Sequence, residues 1–168
     1  MNVPDNAPLI VIAIGGNSLI TDPEHMGVLD QYRAAGETAR YIVPLIKRGY
    51  RVLVTHGNGP QVGFILLRSE LARDVIHQVP LANCVADTQG SIGLQIAQSL
   101  QNELLHQGVQ QAVVALVTQC VVDEKDPSFD HPSKPIGPFM SEAEARQREK
   151  ENGWVIGEDS GRGWRRLV

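Results

Sequence analysis

The chain has 168 residues, 42% hydrophobic and 20% charged, with 15 Lys and Arg against 19 Asp and Glu for a formal net charge of −4. A chain of this size buries roughly 68–70% of its unfolded surface, enough for a core without disulfides or structural metal, and the composition excludes wholesale disorder and fibrous repeats. The acidic balance, with only short basic pairs such as Arg165-Arg166, excludes a broad nucleic-acid surface.

The first apolar run, Leu9-Ile-Val-Ile-Ala-Ile14, is far shorter than the roughly 20 residues a membrane span needs. No Lys or Arg precedes it as in a signal peptide. A cytoplasmic protein without a membrane partner is expected. The run is rich in β-branched residues and closed by Gly15-Gly16, which predicts a strand buried on both faces. From Asp30 to Arg48, residues Ala35, Ala39, Ile42, Leu45 and Ile46 recur at helical spacing before Gly49, predicting an amphipathic helix with a glycine stop. Arg51–His56 reads as a second buried strand, so strand, helix and strand form a crossover unit with a parallel sheet.

The turn Gly57-Asn58-Gly59-Pro60 leads into a helix over Gln61–Ile76, with proline in its first turn. A further helix is expected over Asp87–His106, with Ile92, Ile96, Leu100 and Leu104 on one side, and a third strand over Ala112–Val122. This alternation predicts an α/β layer fold with helices on both sides of a sheet. From Asp123 onward, Asp126-Pro127, His131-Pro132, Lys134-Pro135 and Gly137-Pro138 mark a loop unable to run as regular helix or strand. Ser141-Glu-Ala-Glu144 resembles a capping box opening a polar helix that ends near Gly153, and Trp154–Ile156 and Trp164–Val168 flank a turn as a hairpin. Two parts are expected: an amino-terminal α/β lobe over 1–122, and an appended subdomain of loop, helix and hairpin over 123–168. Cys84 and Cys120, with no CxxC pair, read as buried reduced thiols.

Ligands of a parallel sheet gather beyond the carboxyl ends of its strands. Two glycine-rich turns fall at that rim: Gly15-Gly16-Asn17-Ser18 after the first strand, and Gly57-Asn58-Gly59-Pro60-Gln61-Val62-Gly63 after the second. Glycines let the backbone approach an anion, and N–H groups there favour phosphate or carboxylate. No GxxxxGK[ST] loop is present, and the second turn is one residue too long for the dinucleotide fingerprint. Lys134 lies among prolines; a solvated surface lysine and a charge clamp on a transferring phosphoryl group both remain open. The five histidines lack metal-ligand spacing, and neither HExxH nor GxSxG occurs. His56 reads as a strand-end histidine satisfying backbone groups.

The stretches Ala13–Leu19, Val54–Gly63, Thr88–Gly93 and Lys134–Phe139, with Val122–Pro127 and Gly161–Arg166, closely resemble carbamate kinases of the amino-acid kinase superfamily. The likeness runs in the family's order from Leu9 to Val168. It implies an open αβα sandwich with a mainly parallel sheet and a small protruding subdomain, and reversible phosphoryl transfer from ATP to carbamate. The products are ADP and carbamoyl phosphate, with Mg²⁺ and commonly a homodimer.

Carried over to this chain, Gly15, Gly16 and Asn17 line the site of transfer. Gly57, Asn58, Gly59 and Gln61 hold the small acid, and Lys134 reaches in from the subdomain. A carbamate oxygen is already anionic, so its attack on phosphorus requires no general base. The chain departs from the family in length, since it stops soon after the hairpin and the nucleotide-binding half has no counterpart here. That departure motivates a second reading, a non-catalytic module that binds carbamoyl phosphate or a related acid, or serves in assembly. It also predicts apolar surface where the other half would pack. A third reading is a kinase of a larger acyl substrate.

Overall fold

A computed structural model describes residues 6–20, 22 and 24–168. In chain order the elements are β1 (Leu9–Ile14), α1 (Val28–Lys47), β2 (Arg51–His56), α2 (Gly59–Leu71), α3 (Leu81–His106), β3 (Pro135–Met140), α4 (Glu142–Asn152), β4 (Val155–Glu158) and β5 (Trp164–Leu167), with 3₁₀ turns at Gly16–Leu19 and Pro127–Phe129. The class is mixed α/β with a parallel sheet, as the alternation of patterns predicts. The chain falls into two units, one extending through Asn58 and taking in Ala86–Val117, the other comprising Gly59–Val85 and Thr118–Val168. Residues 59–85 thus group with the carboxyl-terminal segment.

In the first unit β1 and β2 pair in parallel, from Leu9 opposite Arg51 to Ile14 opposite His56. Helix α1 turns Ala35, Ala39, Ile42, Val43 and Ile46 inward, and α3 turns Ile92, Ile96, Leu100 and Leu104 inward; with Ile14 and Leu19 these form one core. The spacing of three and four residues puts each set on one helix face. Helix α1 ends where predicted: Gly49 has φ +88°, and its N–H donates to the Ile46 carbonyl at 2.9 Å. That left-handed turn is open to glycine at little cost.

Two expectations fail here. Both core helices pack on one face of the sheet, against Ile12, Ile14, Val52 and Val54, while Leu9, Val11 and Leu53 on the other face are about half exposed. The strands are therefore buried on one face, not two. Ala112–Val122 contains no strand, because it forms no ladder with β1 or β2 among the described residues; Val114 and Leu116 are each 74% exposed. High β-propensity without a partner strand leaves the backbone unpaired.

In the second unit α2 packs on β3. Val62, Leu66, Cys84 and Ile136 form its core, with Ile65, Val79, Leu81, Val85 and Val168 around them. A Cβ on Gly63 would lie 2.0 Å from the Gly137 Cα, so the helix and strand meet backbone to backbone. Strand β3 was not expected in the proline-rich stretch. It forms as an edge strand in the order β3-β5-β4, pairing Pro135 with Leu167 and Ile136 with Arg166, then resuming at Met140 with Trp164. Gly137, at φ +76°, and Pro138 occupy the break in the ladder, where a missing N–H costs nothing.

The predicted hairpin and capping box are present. The Glu144 N–H donates to Ser141 Oγ, the Ser141 N–H donates to the Glu144 carboxylate, and Gly153 closes α4 at φ +66°. Two helix bounds differ from expectation. Helix α2 ends at Leu71 rather than Ile76, and α3 begins at Leu81, directly after Pro80, which pre-sets its first turn. Cys84 is buried as expected, but Cys120 is exposed.

Candidate functional site: paired glycine turns at the carboxyl ends of β1 and β2

Because β1 and β2 run parallel and in register, their carboxyl ends lie side by side, and each releases a glycine-rich turn there. The pairing extends one residue beyond the strands: the Gly57 N–H donates to the Ile14 carbonyl at 2.8 Å. A Cβ on Gly57 would come within 3.1 Å of the Gly16 nitrogen and 3.9 Å of the Gly15 Cα. The two turns therefore approach each other closely through their main chains, at a spacing that a side chain on Gly57 would crowd.

The first turn is fixed from below. Its 3₁₀ geometry is closed by the Ser18 N–H donating to the Gly15 carbonyl at 2.9 Å, and Leu19, 1% exposed, anchors it in the core. Gly15, Gly16 and the backbone of Asn17 lie in this turn.

The second turn is fixed from the side. Asn58 Nδ2 donates to the hydroxyl oxygen of Thr88 at 2.7 Å, and Thr88 has no exposed surface. The imidazole Nδ1–H of His56 donates to the Gly57 carbonyl at 3.2 Å, so His56 satisfies backbone at the strand end. Five of the expected site residues, Gly15, Gly16, Asn17, Gly57 and Asn58, thus meet in one unit.

The other three belong to the second unit. Gly59 and Gln61 lie in the first turn of α2, with Gln61 buried. Lys134 is exposed at the entry to β3, and its main chain is doubly bonded to Val168, N–H to carbonyl in both directions at 3.0 Å. Its backbone is thereby fixed while its ammonium remains in solvent.

The strand carrying this anchor is fastened to α2. Arg166 on β5 forms an ion pair with Glu70 of α2 and lies 4.8 Å over the Trp154 ring. Its neighbour Arg165, 4% exposed, donates from Nε to the Gly137 carbonyl at 3.1 Å and pairs with Asp159 at 3.0 Å. The Arg165 hydrogen bond, with Arg162 assisting, holds the Asp159 carboxyl below its ordinary pKa.

Sequence reading identified the turns but not the groups that hold them. Thr88 lies within a stretch singled out for its resemblance, yet its role depends on a partner 30 positions away. Glu70 and Arg166 are 96 positions apart, and no local pattern joins them.

Comparison with known proteins places the chain in a family. Residues 8–152 match the family model described as the amino acid kinase family. The chain is 45% identical over 161 residues to a carbamate kinase of Pyrococcus horikoshii, covering 95% of this chain and 51% of that protein. It is 47% identical over 163 residues to the carbamate kinase-like protein YahI of Escherichia coli, with the same coverage. Among solved structures, a carbamate kinase from Giardia lamblia bound to citric acid superposes with a TM-score of 0.90 at 37% identity, over 97% of this chain and 53% of that one. The same organism's carbamate kinase bound to AMP-PNP gives a TM-score of 0.77 at 38% identity, over 97% of this chain and 52% of that one. The chain spans about half the length of the curated relatives it matches. With the family model covering most of its residues and the two glycine turns in place, the chain belongs to the amino acid kinase family.

Proposed function

We propose that this chain carries the acid-binding part of a carbamate kinase-type phosphotransferase, which catalyses ATP + carbamate ⇌ ADP + carbamoyl phosphate. The contact of the Gly57 and Gly16 main chains carries this reading, since it joins two glycine-rich turns at the carboxyl end of a parallel sheet. The similarity to carbamate kinases at 45–47% identity supports it.

In the forward direction a carbamate oxygen attacks the γ-phosphorus. The new O–P bond forms as the bond to the β–γ bridging oxygen breaks, and that electron pair leaves with ADP. The anionic nucleophile needs no base, so the protein's task is alignment and charge stabilisation. Gly15, Gly16 and Asn17 line the point of transfer, and Gly57, Asn58, Gly59 and Gln61 receive the acid. Lys134 supplies positive charge to the phosphoryl oxygens, a contribution of roughly 2.7–4 kcal/mol for one well-placed donor.

Mg²⁺ neutralises phosphate charge in reactions of this class. Among the described residues no three His, Cys, Asp or Glu side chains stand together; Mg²⁺ is commonly held by one or two carboxylates together with substrate phosphates, so here it would enter with ATP. No helix among the described residues is long and apolar enough to cross a membrane. A cytoplasmic homodimer using ATP is the setting that this reading carries with it.

Calorimetric titration of the chain with carbamoyl phosphate, and separately with ATP–Mg²⁺, tests the proposal. Saturable binding of carbamoyl phosphate is expected, and its absence overturns the reading. A response to ATP–Mg²⁺ as well assigns the whole reaction to this chain. Acid binding with no nucleotide response instead favours a binding module.

A further inference from the structure

The buried hydroxyl of Thr88 bears on substrate choice. A carboxamide has two edges of opposite character, two N–H donors on one side and a carbonyl acceptor on the other. Left free, the Asn58 side chain can present either edge. In the structure the amino edge faces Thr88, whose oxygen receives the Asn58 Nδ2–H at 2.7 Å from a position with no solvent exposure. The helix bearing it is rigid there: Ile92 and Ile96, one and two turns on, are buried in the core. With one N–H committed to the protein, Asn58 Oδ1 is left on the opposite edge as an acceptor, at a half-buried residue beside the Gly57–Gly16 contact.

Carbamate and carbamoyl phosphate differ from acetate and acetyl phosphate by an NH₂ in place of a CH₃, at nearly the same size. A pocket of fixed shape separates such isosteres poorly, whereas a fixed acceptor separates them by hydrogen bonding. We propose that Thr88 is a positioning residue that holds Asn58 with Oδ1 turned to the N–H of the carbamoyl group, so that the pair selects carbamoyl over simple acyl phosphates. This inference rests on the acid-binding reading above.

The test titrates the full chain with carbamoyl phosphate and with acetyl phosphate. The variants are Thr88→Val, which keeps shape and removes the hydroxyl, Thr88→Ser, which restores it, Asn58→Ala, and the double variant of Asn58→Ala with Thr88→Val. The original chain is expected to prefer carbamoyl phosphate by about tenfold, the value of one hydrogen bond near the upper end of its net range. Thr88→Val brings the ratio close to one by weakening carbamoyl phosphate alone, and Thr88→Ser recovers it. In the Asn58→Ala background Thr88→Val adds no further loss, since Thr88 acts through Asn58.

The Asn58 side-chain amide resonance in an NMR spectrum reports the hydrogen bond without any ligand; it shifts in Thr88→Val and keeps its place in Thr88→Ser. A ratio unchanged by Thr88→Val, an additive loss in the double variant, or an unmoved amide resonance overturns the inference alone. Failure of the original chain to bind either acid overturns the functional reading, and this inference with it.

Discussion

Gly57 and Gly16 meet main chain to main chain: a Cβ placed on Gly57 lies 3.1 Å from the Gly16 nitrogen. A methyl group there must push the first turn away by a few tenths of an ångström. Gly57→Ala is therefore expected to cost about 1–2 kcal/mol of stability, as a mild overpacking. It should weaken carbamoyl phosphate binding by more than that loss explains, because it displaces the turns themselves. Thermal unfolding and calorimetry on the same samples separate the two effects.

Gly63 is less tolerant. Its Cβ would lie 2.0 Å from the Gly137 Cα and 2.2 Å from the Gly137 nitrogen, and backbone cannot swing aside as a flexible side chain does. Gly63→Ala should cost about 3 kcal/mol or more, lowering Tm by roughly 6–12 °C at this chain length. Gly90, with no heavy atom within 4 Å of its added Cβ, is the control. Gly90→Ala lies inside α3 and is expected to hold or raise Tm, since alanine favours helix.

Asp159 couples the second unit to pH. Its carboxyl is held below the ordinary value near 3.8 chiefly by the Arg165 hydrogen bond. The folded state thus favours the ionised form more than the unfolded chain does. The resulting stabilisation is fully present above the unfolded value and is lost as pH falls through the lower folded one. Stability should fall as pH drops below about 4, and Asp159→Asn should abolish that part of the slope. At neutral pH the same substitution leaves Arg165, 4% exposed, without its counter-charge, a loss of about 3 kcal/mol. Denaturant unfolding across this pH range measures both.

Lys134 combines a fixed backbone with an exposed side chain. Lys134→Ala retains both main-chain bonds to Val168, so stability should change by less than about 0.5 kcal/mol. Phosphoryl transfer between carbamoyl phosphate and ADP, in any preparation where it is measurable, should fall by about 10²–10³. Unchanged turnover removes the role assigned to this lysine.

Periodicity made the first unit largely legible. Of the residues the spacing selected, Ala35, Ala39, Ile42 and Ile46 of α1 and Ile92, Ile96, Leu100 and Leu104 of α3 lie in the core, whereas Leu45 does not and Val43 stands there instead. Burial on both faces of the strands was not readable from apolar content, because whether a second layer covers Leu9, Val11 and Leu53 depends on what packs there and not on those residues. Ala112–Val122 failed for the same reason: strand propensity needs a partner.

The error at Pro135–Met140 was of another kind. Proline and glycine are strong local breakers, but on an edge strand Gly137 and Pro138 fit within a single break in the ladder. At the site, chemistry written in adjacent residues was readable and chemistry written across the fold was not. Gly15-Gly16-Asn17 and Gly57-Asn58 stand out in the chain, whereas Asn58 with Thr88, and Glu70 with Arg166, become pairs only on folding.

The most direct measurement is an NMR titration of the chain with carbamoyl phosphate, following the backbone amides of Gly15, Gly16, Asn17, Gly57 and Asn58. If the two turns form a single acid site, all five resonances move together along one binding curve with one Kd. Movement of one turn without the other, or of neither at saturating ligand, contradicts a shared site.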